Sequence, residues 1–275
     1  GIISTLMTPN SSIQKLKDKS FVLNLNIKVA DIQKEYQQTL KSIQANFETK
    51  GFRKGKAPLS VVESQVSPQK IFEEVASHLI SHRYSDAVKD HQLKPIIQPQ
   101  VKFKNKNPDL EHDWQIEITG SEMPEINLDP NYLKEIKSIN KDKTLSDDNA
   151  RLDKILQTLV KHSKLDLPEI LIQSDLQHHL SHLIDQANQA GITVQQYLES
   201  RKQTLEDYQS ELKKRIIQEW TINLAITQIA KDNKIEVTEA DTKDLLTKNP
   251  ALSQNTNMLY YLLTQQKVLE FLKKQ

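Results

Sequence analysis

Glycine is scarce in this chain, five among 275 residues, and two of the five stand four positions apart in Gly51-Phe52-Arg53-Lys54-Gly55-Lys56-Ala57-Pro58. That scarcity narrows the fold. Dinucleotide and nucleotide folds wrap phosphates in glycine-rich turns, and neither of those signatures occurs here. The abundance of Gln, Lys, Leu and Ile favours helix. Where two glycines do cluster, the backbone needs positive φ or a close approach. Four of the seven residues from Lys50 to Lys56 are cationic, and Phe52 stands among them. Ala57-Pro58 then fixes φ and opens a helix. The stretch predicts a tight basic loop with one apolar tip, held between two helices and suited to an anionic surface.

The flanking periodicity places that loop. Phe21, Leu23, Leu25, Ile27 and Val29 alternate with Val22, Asn24, Asn26 and Lys28, a period of two that predicts a half-buried strand. Asp31 is positioned to cap a helix whose apolar residues are Ile32, Tyr36, Leu40, Ile43 and Phe47, spaced by three or four. That helix is expected to stop at Gly51. A short helix follows from Pro58 to Gln65. Ser67-Pro68 then starts a longer one with Ile71, Val75, Leu79, Tyr84 and Val88 inward, ended by Pro95. Ile97, Val101 and Phe103 fit a second strand, and Trp114, Ile116 and Ile118 a third. Residues 1–120 therefore read as an α+β domain, helices packed on a small antiparallel sheet.

From 121 to 143 the pattern stops. Met123-Pro124-Glu125 and Asp129-Pro130-Asn131 break any helix, and the stretch reads as an extended linker. Residues 144–275 read as all-α. Ser146-Asp147-Asp148 caps a helix with Leu152, Ile155, Leu156 and Leu159. Pro168 starts another, with Leu171, Leu176, Leu180, Leu183 and Ile184 inward, closed by Gly191. Thr193 caps a short segment through Leu198. A long helix runs from about Leu205 to Asp232 on the stripe Leu205, Tyr208, Leu212, Ile216, Trp220, Leu224 and Ile229. Thr238 and Asp241 form a capping box for a helix that ends before Pro250. The last helix carries Met258, Tyr261, Leu262, Val268, Leu269 and Leu272.

Bulk properties exclude several classes. There is no cysteine, so disulfides and thiolate metal sites are out. No apolar run approaches the ~20 residues of a membrane span, and the N-terminus lacks a leader pattern, which makes a soluble cytoplasmic protein the expectation. The net charge of +1 hides an asymmetry: residues 1–120 carry about four net positive charges and the rest about three net negative ones. The basic half is the half with the loop.

The loop and the order of elements together resemble trigger factor, the ribosome-associated bacterial chaperone family. Its ribosome-binding motif, Gly-Phe-Arg-Lys-Gly-Lys-x-Pro, stands here as Gly51 to Pro58 without departure. The resemblance extends to the strand at Phe21 to Val29, to Lys94-Pro95-Ile96 and to the strand at Trp114 to Ile118. In the C-terminal half it covers Leu167-Pro168-Glu169-Ile170-Leu171 and Lys234-Ile235-Glu236-Val237-Thr238. The family carries an FKBP-like prolyl isomerase domain between its other two parts. Only Glu122 to Lys143 lies there in this chain, too little for such a domain. The resemblance thus implies a chaperone without isomerase activity, ATP-independent and without cofactor. It implies that Gly51, Phe52, Arg53, Lys54, Gly55, Lys56 and Pro58, with Lys50 in support, contact protein and RNA at the ribosomal tunnel exit. It implies a helical cradle for nascent or unfolded polypeptides, no membrane partner, and a homodimer off the ribosome. Tyr197, Leu198, Met258, Leu259, Tyr260 and Leu263 are the candidates for the client surface, with core packing the competing reading for each.

Other constellations carry less. His78 and His82, and His178 and His182, are spaced i,i+4, a spacing that can hold zinc, but no HExxH surrounds either pair and polar-face histidines are the better reading. Asp147-Asp148 compensates a helix N-terminus, and Glu73-Glu74 reads as a solvated face. No nucleophile or carboxylate pair is set by a motif. A periplasmic chaperone for outer-membrane proteins, with a similar helical body, is the alternative, and the basic loop speaks against it. A residual prolyl isomerase is the enzymatic one.

Overall fold

The computed structural model describes residues 1–8, 11–145, 147–248 and 255–275. The chain divides into two compact units, Gly1–Met123 and Pro124–Gln275, each with its own core.

The first unit is built on a five-stranded antiparallel sheet. Its strands are β1 (Ile2–Thr8), β2 (Ser11–Leu16), β3 (Ser20–Ile27), β4 (Gln100–Phe103) and β5 (Trp114–Ser121), in the order β1-β2-β3-β5-β4. The period of two does what it predicts in the centre: Phe21, Leu23, Leu25 and Ile27 are all buried. They face Gly120, Ile118, Ile116 and Trp114 across the β3–β5 register. Onto this face pack α1 (Val29–Asn46), through Ile32 and Leu40, and α3 (Pro68–Asp90), through Ile71, Val75 and Leu79, with the short α2 (Leu59–Gln65) beside them. Phe72, Phe103 and Trp114 close one end as an aromatic cluster with centroids 5.5 to 6.0 Å apart, in the tilted and edge-on geometries that rings prefer.

Several boundaries differ from expectation. Strands β1 and β2 were not anticipated, because their described apolar residues are mostly not buried: Ile2, Ile3 and Leu6 are exposed, and among the described side chains only Ile13 reaches the core. Val29 opens α1 instead of ending the strand, and the N-cap is Lys28, which makes no side-chain cap. Asp31 lies in the first turn, where its carboxylate accepts from Arg83 of α3 at 2.6 Å. Helix α1 ends at Asn46, short of Gly51. Ser67 caps α3 as expected, accepting from the Lys70 amide, and the helix stops at Asp90, before Pro95. Ile97 lies outside β4. Beyond β4, Lys104 pairs with Glu117 at 3.1 Å and donates to Asn24.

The second unit is mainly helical but not all-α. It holds β6 (Ile126–Leu128), α4 (Tyr132–Lys141), α5 (Asp148–Lys161), β7 (Ser163–Leu165), α6 (Glu169–Gln189), α7 (Val194–Ser200), α8 (Leu205–Asp232), α9 (Glu239–Lys248) and α10 (Thr256–Lys273). Strands β6 and β7 pair antiparallel. The stretch read as a linker is therefore folded: Tyr132 and Ile136 of α4 are buried with Ile155 and Leu159 of α5, Ile226 and Ile229 of α8, and Val268 and Leu272 of α10. The prolines at 124 and 130 do not interrupt a helix; the second precedes one. Asn140 of α4 donates its amide to the Leu272 carbonyl at 2.8 Å, joining the unit's first helix to its last.

Helix starts follow the side-chain chemistry. Asp147 accepts from the Asn149 and Ala150 amides; Ser146 and Pro250, the other residues assigned to helix ends, lie outside the described residues. Thr193 with Gln196, and Thr204 with Asp207, form reciprocal capping boxes, and Thr238 with Asp241 exchanges the same bonds. Helix phase was read less well. Ile184 and Leu205, assigned to inward stripes, are exposed, and so are Met258 and Tyr261 of the last helix, the first of them a client-surface candidate. Helix α10 turns Leu259, Leu263, Val268 and Leu272 inward; the last two belong to the apolar set expected for it, and the first two do not. Among the described residues no helix is long and apolar enough to cross a membrane.

Candidate functional site

The basic loop is pinned at both ends by the helices around it. At the end of α1 the Phe47 amide returns to the Gln44 carbonyl at 3.0 Å. Thr49 and Phe52 then form an isolated antiparallel bridge, the Phe52 amide donating to the Thr49 carbonyl at 3.1 Å. The Gly55 amide reaches back to the Phe47 carbonyl at 2.9 Å, and the Lys56 amide to that of Arg53 at 2.9 Å. Gln44 donates to the Ala57 carbonyl at 2.6 Å, and the Ala57 side chain is fully buried. Thr49 hydroxyl donates to Gln65 at 2.7 Å, tying the loop to α2.

Both glycines are there for the backbone. Gly51 has φ +93° and Gly55 φ +74°, a region that side-chain-bearing residues enter at a cost. Gly55 has a second reason: a Cβ there would sit 3.0 Å from the Ala45 carbonyl oxygen of α1. The turn therefore lies directly on the end of that helix.

What the pinned backbone presents is charge and one ring. Lys50, Arg53, Lys54 and Lys56 are exposed, and Phe52 is 41% exposed. Among the described residues none of these four cations has an anionic partner within 4.0 Å. A nearby acid, Glu63 of α2, is already engaged: the Tyr36 hydroxyl of α1 donates to it. Burial first and Glu63 second push the Tyr36 pKa up to about 12. An open groove of about 420 Å³ runs beside the loop, between Ile43, Asn46 and Phe47 on one side and Val66, Lys70 and Glu74 on the other. Exposed guanidinium and ammonium groups around one apolar tip can bind phosphate or carboxylate oxygens while the ring covers an apolar spot or stacks.

The second candidate surface does not hold together as one patch. Leu198, Leu259 and Leu263 are buried in the helical unit, so they are core residues and not exposed apolar contacts. Each sits one side of its helix away from the residue that solvent sees. Met258 and Tyr260 are exposed. Tyr197 is half-buried, with the Arg201 guanidinium 4.6 Å above its ring, an ordinary cation–π distance. Ile184, Ile192, Leu205 and Tyr261 are exposed apolar residues of this unit that were not among the candidates. Leu205 lines an open groove of about 520 Å³ with Val194, Leu198 and Thr204, where α7 meets the start of α8. Of the two helix starts that flank this groove, the sequence reading marked the cap at Thr193; the Thr204–Asp207 capping box is the signal that places the other.

Among the described residues no group of three or more His, Cys, Asp or Glu is placed to hold a metal ion. His78 and His82 face different acids, Glu35 at 3.1 Å and Asp86 at 3.0 Å. His178 and His182 meet each other, Nε2 to Nε2, at 3.1 Å.

The comparisons with known proteins agree across the chain. Residues 10–159 match the family model described as bacterial trigger factor protein, and residues 132–275 the one described as bacterial trigger factor protein C-terminus; no prolyl isomerase family model matches. The trigger factor of Bdellovibrio bacteriovorus is 29% identical over 150 residues, 54% of this chain and 32% of that protein. That of Corynebacterium aurimucosum is 28% identical over 193 residues, 66% of this chain and 41% of that one. The matched part is thus about a third to two fifths of the length of these relatives. A solved structure described as "Promiscuous Substrate Recognition in Folding and Assembly Activities of the Trigger Factor Chaperone" superposes with a TM-score of 0.65 over 95% of this chain and 98% of that one, at 12% identity, a likeness of fold alone. The periplasmic alternative finds no support among these matches. On the two family models, which between them span residues 10–275, the chain belongs to the bacterial trigger factor family.

Proposed function

We propose that the protein is a chaperone that docks at the ribosomal tunnel exit through the loop from Gly51 to Pro58 and shields emerging polypeptides with its helical unit. The observation that carries the reading is the loop itself: four cations with no anionic partner among the described residues and an exposed Phe52, on a backbone that hydrogen bonds hold to α1 and α2. Ribosomal RNA offers phosphates to Arg53, Lys54, Lys50 and Lys56, and Phe52 is suited to an apolar spot on a ribosomal protein. Gly51, Gly55 and Pro58 shape the loop. Residues 1–120 are the docking part, and the helical unit is the client-binding part.

Client contact in this reading falls to exposed apolar residues such as Met258 and Tyr260, with Tyr197 at the margin. Scattered Met, Leu and aromatic contacts suit many sequences weakly. Docking raises the local concentration of nascent chain near that surface, so two weak interactions act together. The work needs no nucleotide and no cofactor, the location is the cytoplasm, and off the ribosome the exposed apolar area favours a homodimer. No catalytic role is assigned; a proline-peptide isomerisation assay is expected to show no rate above the uncatalysed one.

The test is ribosome pelleting. Phe52→Ala/Arg53→Ala/Lys54→Ala is expected to lose co-sedimentation while its circular dichroism stays that of the parent. Wild-type binding should weaken steeply as salt rises. Undiminished pelleting of the triple variant at moderate salt would overturn the assignment.

A further inference from the structure

The two histidine pairs of this protein have the same spacing and different fates. His78 and His82 sit on α3 and each turns to its own carboxylate. His178 and His182 sit on α6, both exposed. Among the described residues neither has a carboxylate partner within 4.0 Å. Their rings turn toward each other instead, edge to face at 87°, with Nε2 atoms 3.1 Å apart. His179, the next residue, is tilted away at a centroid distance of 6.2 Å from His178 and does not join them.

We propose that His178 and His182 form a two-imidazole chelate for a divalent transition-metal ion of the Cu²⁺, Ni²⁺ and Zn²⁺ group. One turn of helix brings i and i+4 side chains together on one face, and imidazole nitrogen is a ligand these ions accept. With metal–nitrogen bonds of about 2.0–2.1 Å, a 3.1 Å separation corresponds to an angle of about 98° at the metal. That lies between the square and the tetrahedral values, so neither geometry is excluded. In the neutral pair one Nε2 donates its hydrogen to the other. Binding requires both Nε2 lone pairs, so the donor ring moves its proton to Nδ1 and the pair loses no charge. The remaining coordination positions stay open to water, or to a donor from another molecule. A bound ion bridges consecutive turns of a 21-residue helix.

The test is calorimetric titration of the full chain with NiCl₂, CuCl₂ or ZnCl₂ in a non-chelating buffer. Saturable binding of one ion per chain is expected, in the affinity order Cu²⁺ over Ni²⁺ and Zn²⁺. His178→Gln and His182→Gln should each weaken it by roughly tenfold or more, and the double variant should be little worse than either single one. His179→Gln and His78→Gln/His82→Gln should bind like the parent. All four histidines of the two pairs lie on helix surfaces, and circular dichroism would verify that the variants fold. Absence of saturable binding, or parental affinity in the His178→Gln/His182→Gln double variant, would overturn the chelate, as would loss of binding in the His78→Gln/His82→Gln control.

Discussion

The loop at 47–58 and the last helix, α10, handle their apolar and charged residues in opposite ways. In the loop the backbone is fixed and the side chains are free: hydrogen bonds from Phe47, Thr49, Gln44 and Gly55 set the path, and Lys50, Phe52, Arg53, Lys54 and Lys56 point to solvent. In α10 the helix sets a rotation, and that rotation decides everything. Leu259, Leu263, Val268 and Leu272 go inward, and Met258 and Tyr260 go out. A motif in a pinned loop names its surface residues one by one. A motif in a helix names them only once the phase is known.

The largest effect that tests this contrast lies in α10. Leu263→Ala removes a buried side chain and should cost about 2–5 kcal/mol of stability, read by denaturant unfolding. Tyr260→Ala, three residues away, should change stability by no more than about 0.5 kcal/mol. Equal costs would mean that both residues share one environment and would erase the distinction. Next comes the loop backbone. Gly55→Ala places a Cβ in a left-handed residue and against the Ala45 carbonyl, and should cost about 1–2 kcal/mol. It should also weaken ribosome pelleting although no charge is touched; unaffected pelleting would show that charge alone carries docking.

The smallest effect concerns acid. Lys267 first, then Thr238, hold the Asp241 carboxyl down to about 2. Its folded pKa lies below the ordinary carboxylate value of about 3.9, so the stabilisation is present above about pH 4. It is lost as pH falls toward 2. Acid unfolding of Lys267→Met should therefore show a flatter fall between pH 4 and 2 than the parent. Superimposable curves would remove this pair from the account of how α9 is held to α10.

What was legible follows the same physics. Strand β3 was readable because every second residue is buried, and β5 likewise. Strands β1 and β2 were not, because pairing gives a strand its hydrogen bonds without requiring a buried face, and Ile2, Ile3 and Leu6 stay in solvent. Helix α4 was hidden by reading Asp129-Pro130-Asn131 as a break. The same residues serve a helix start: the Asp129 carboxylate accepts from the Asn131 amide at 2.9 Å, and Tyr132 and Ile136 then lie one turn apart on the buried side. In the loop, residue types alone gave the backbone conformation, since only glycine enters φ of +93° and +74° at little cost. Which apolar residues of α10 are exposed required the tertiary contacts, because Met258, Leu259, Tyr260 and Tyr261 are all apolar enough to be buried.

The bond from Asn140 to the Leu272 carbonyl has a bearing on how the chain comes off a ribosome of its own. Helix α4 is made first among the helices of the second unit and α10 last, and the two bonded partners stand 132 positions apart. The sheet unit has all its strands by Ser121 and can close while synthesis continues. The helical unit cannot, because Val268 and Leu272 belong to the same buried cluster as Tyr132 and Ile136. Until α10 has emerged, α4, α5 and α8 carry an open apolar seam, and this protein stands for that interval among the unfinished chains whose exposed surface calls for protection.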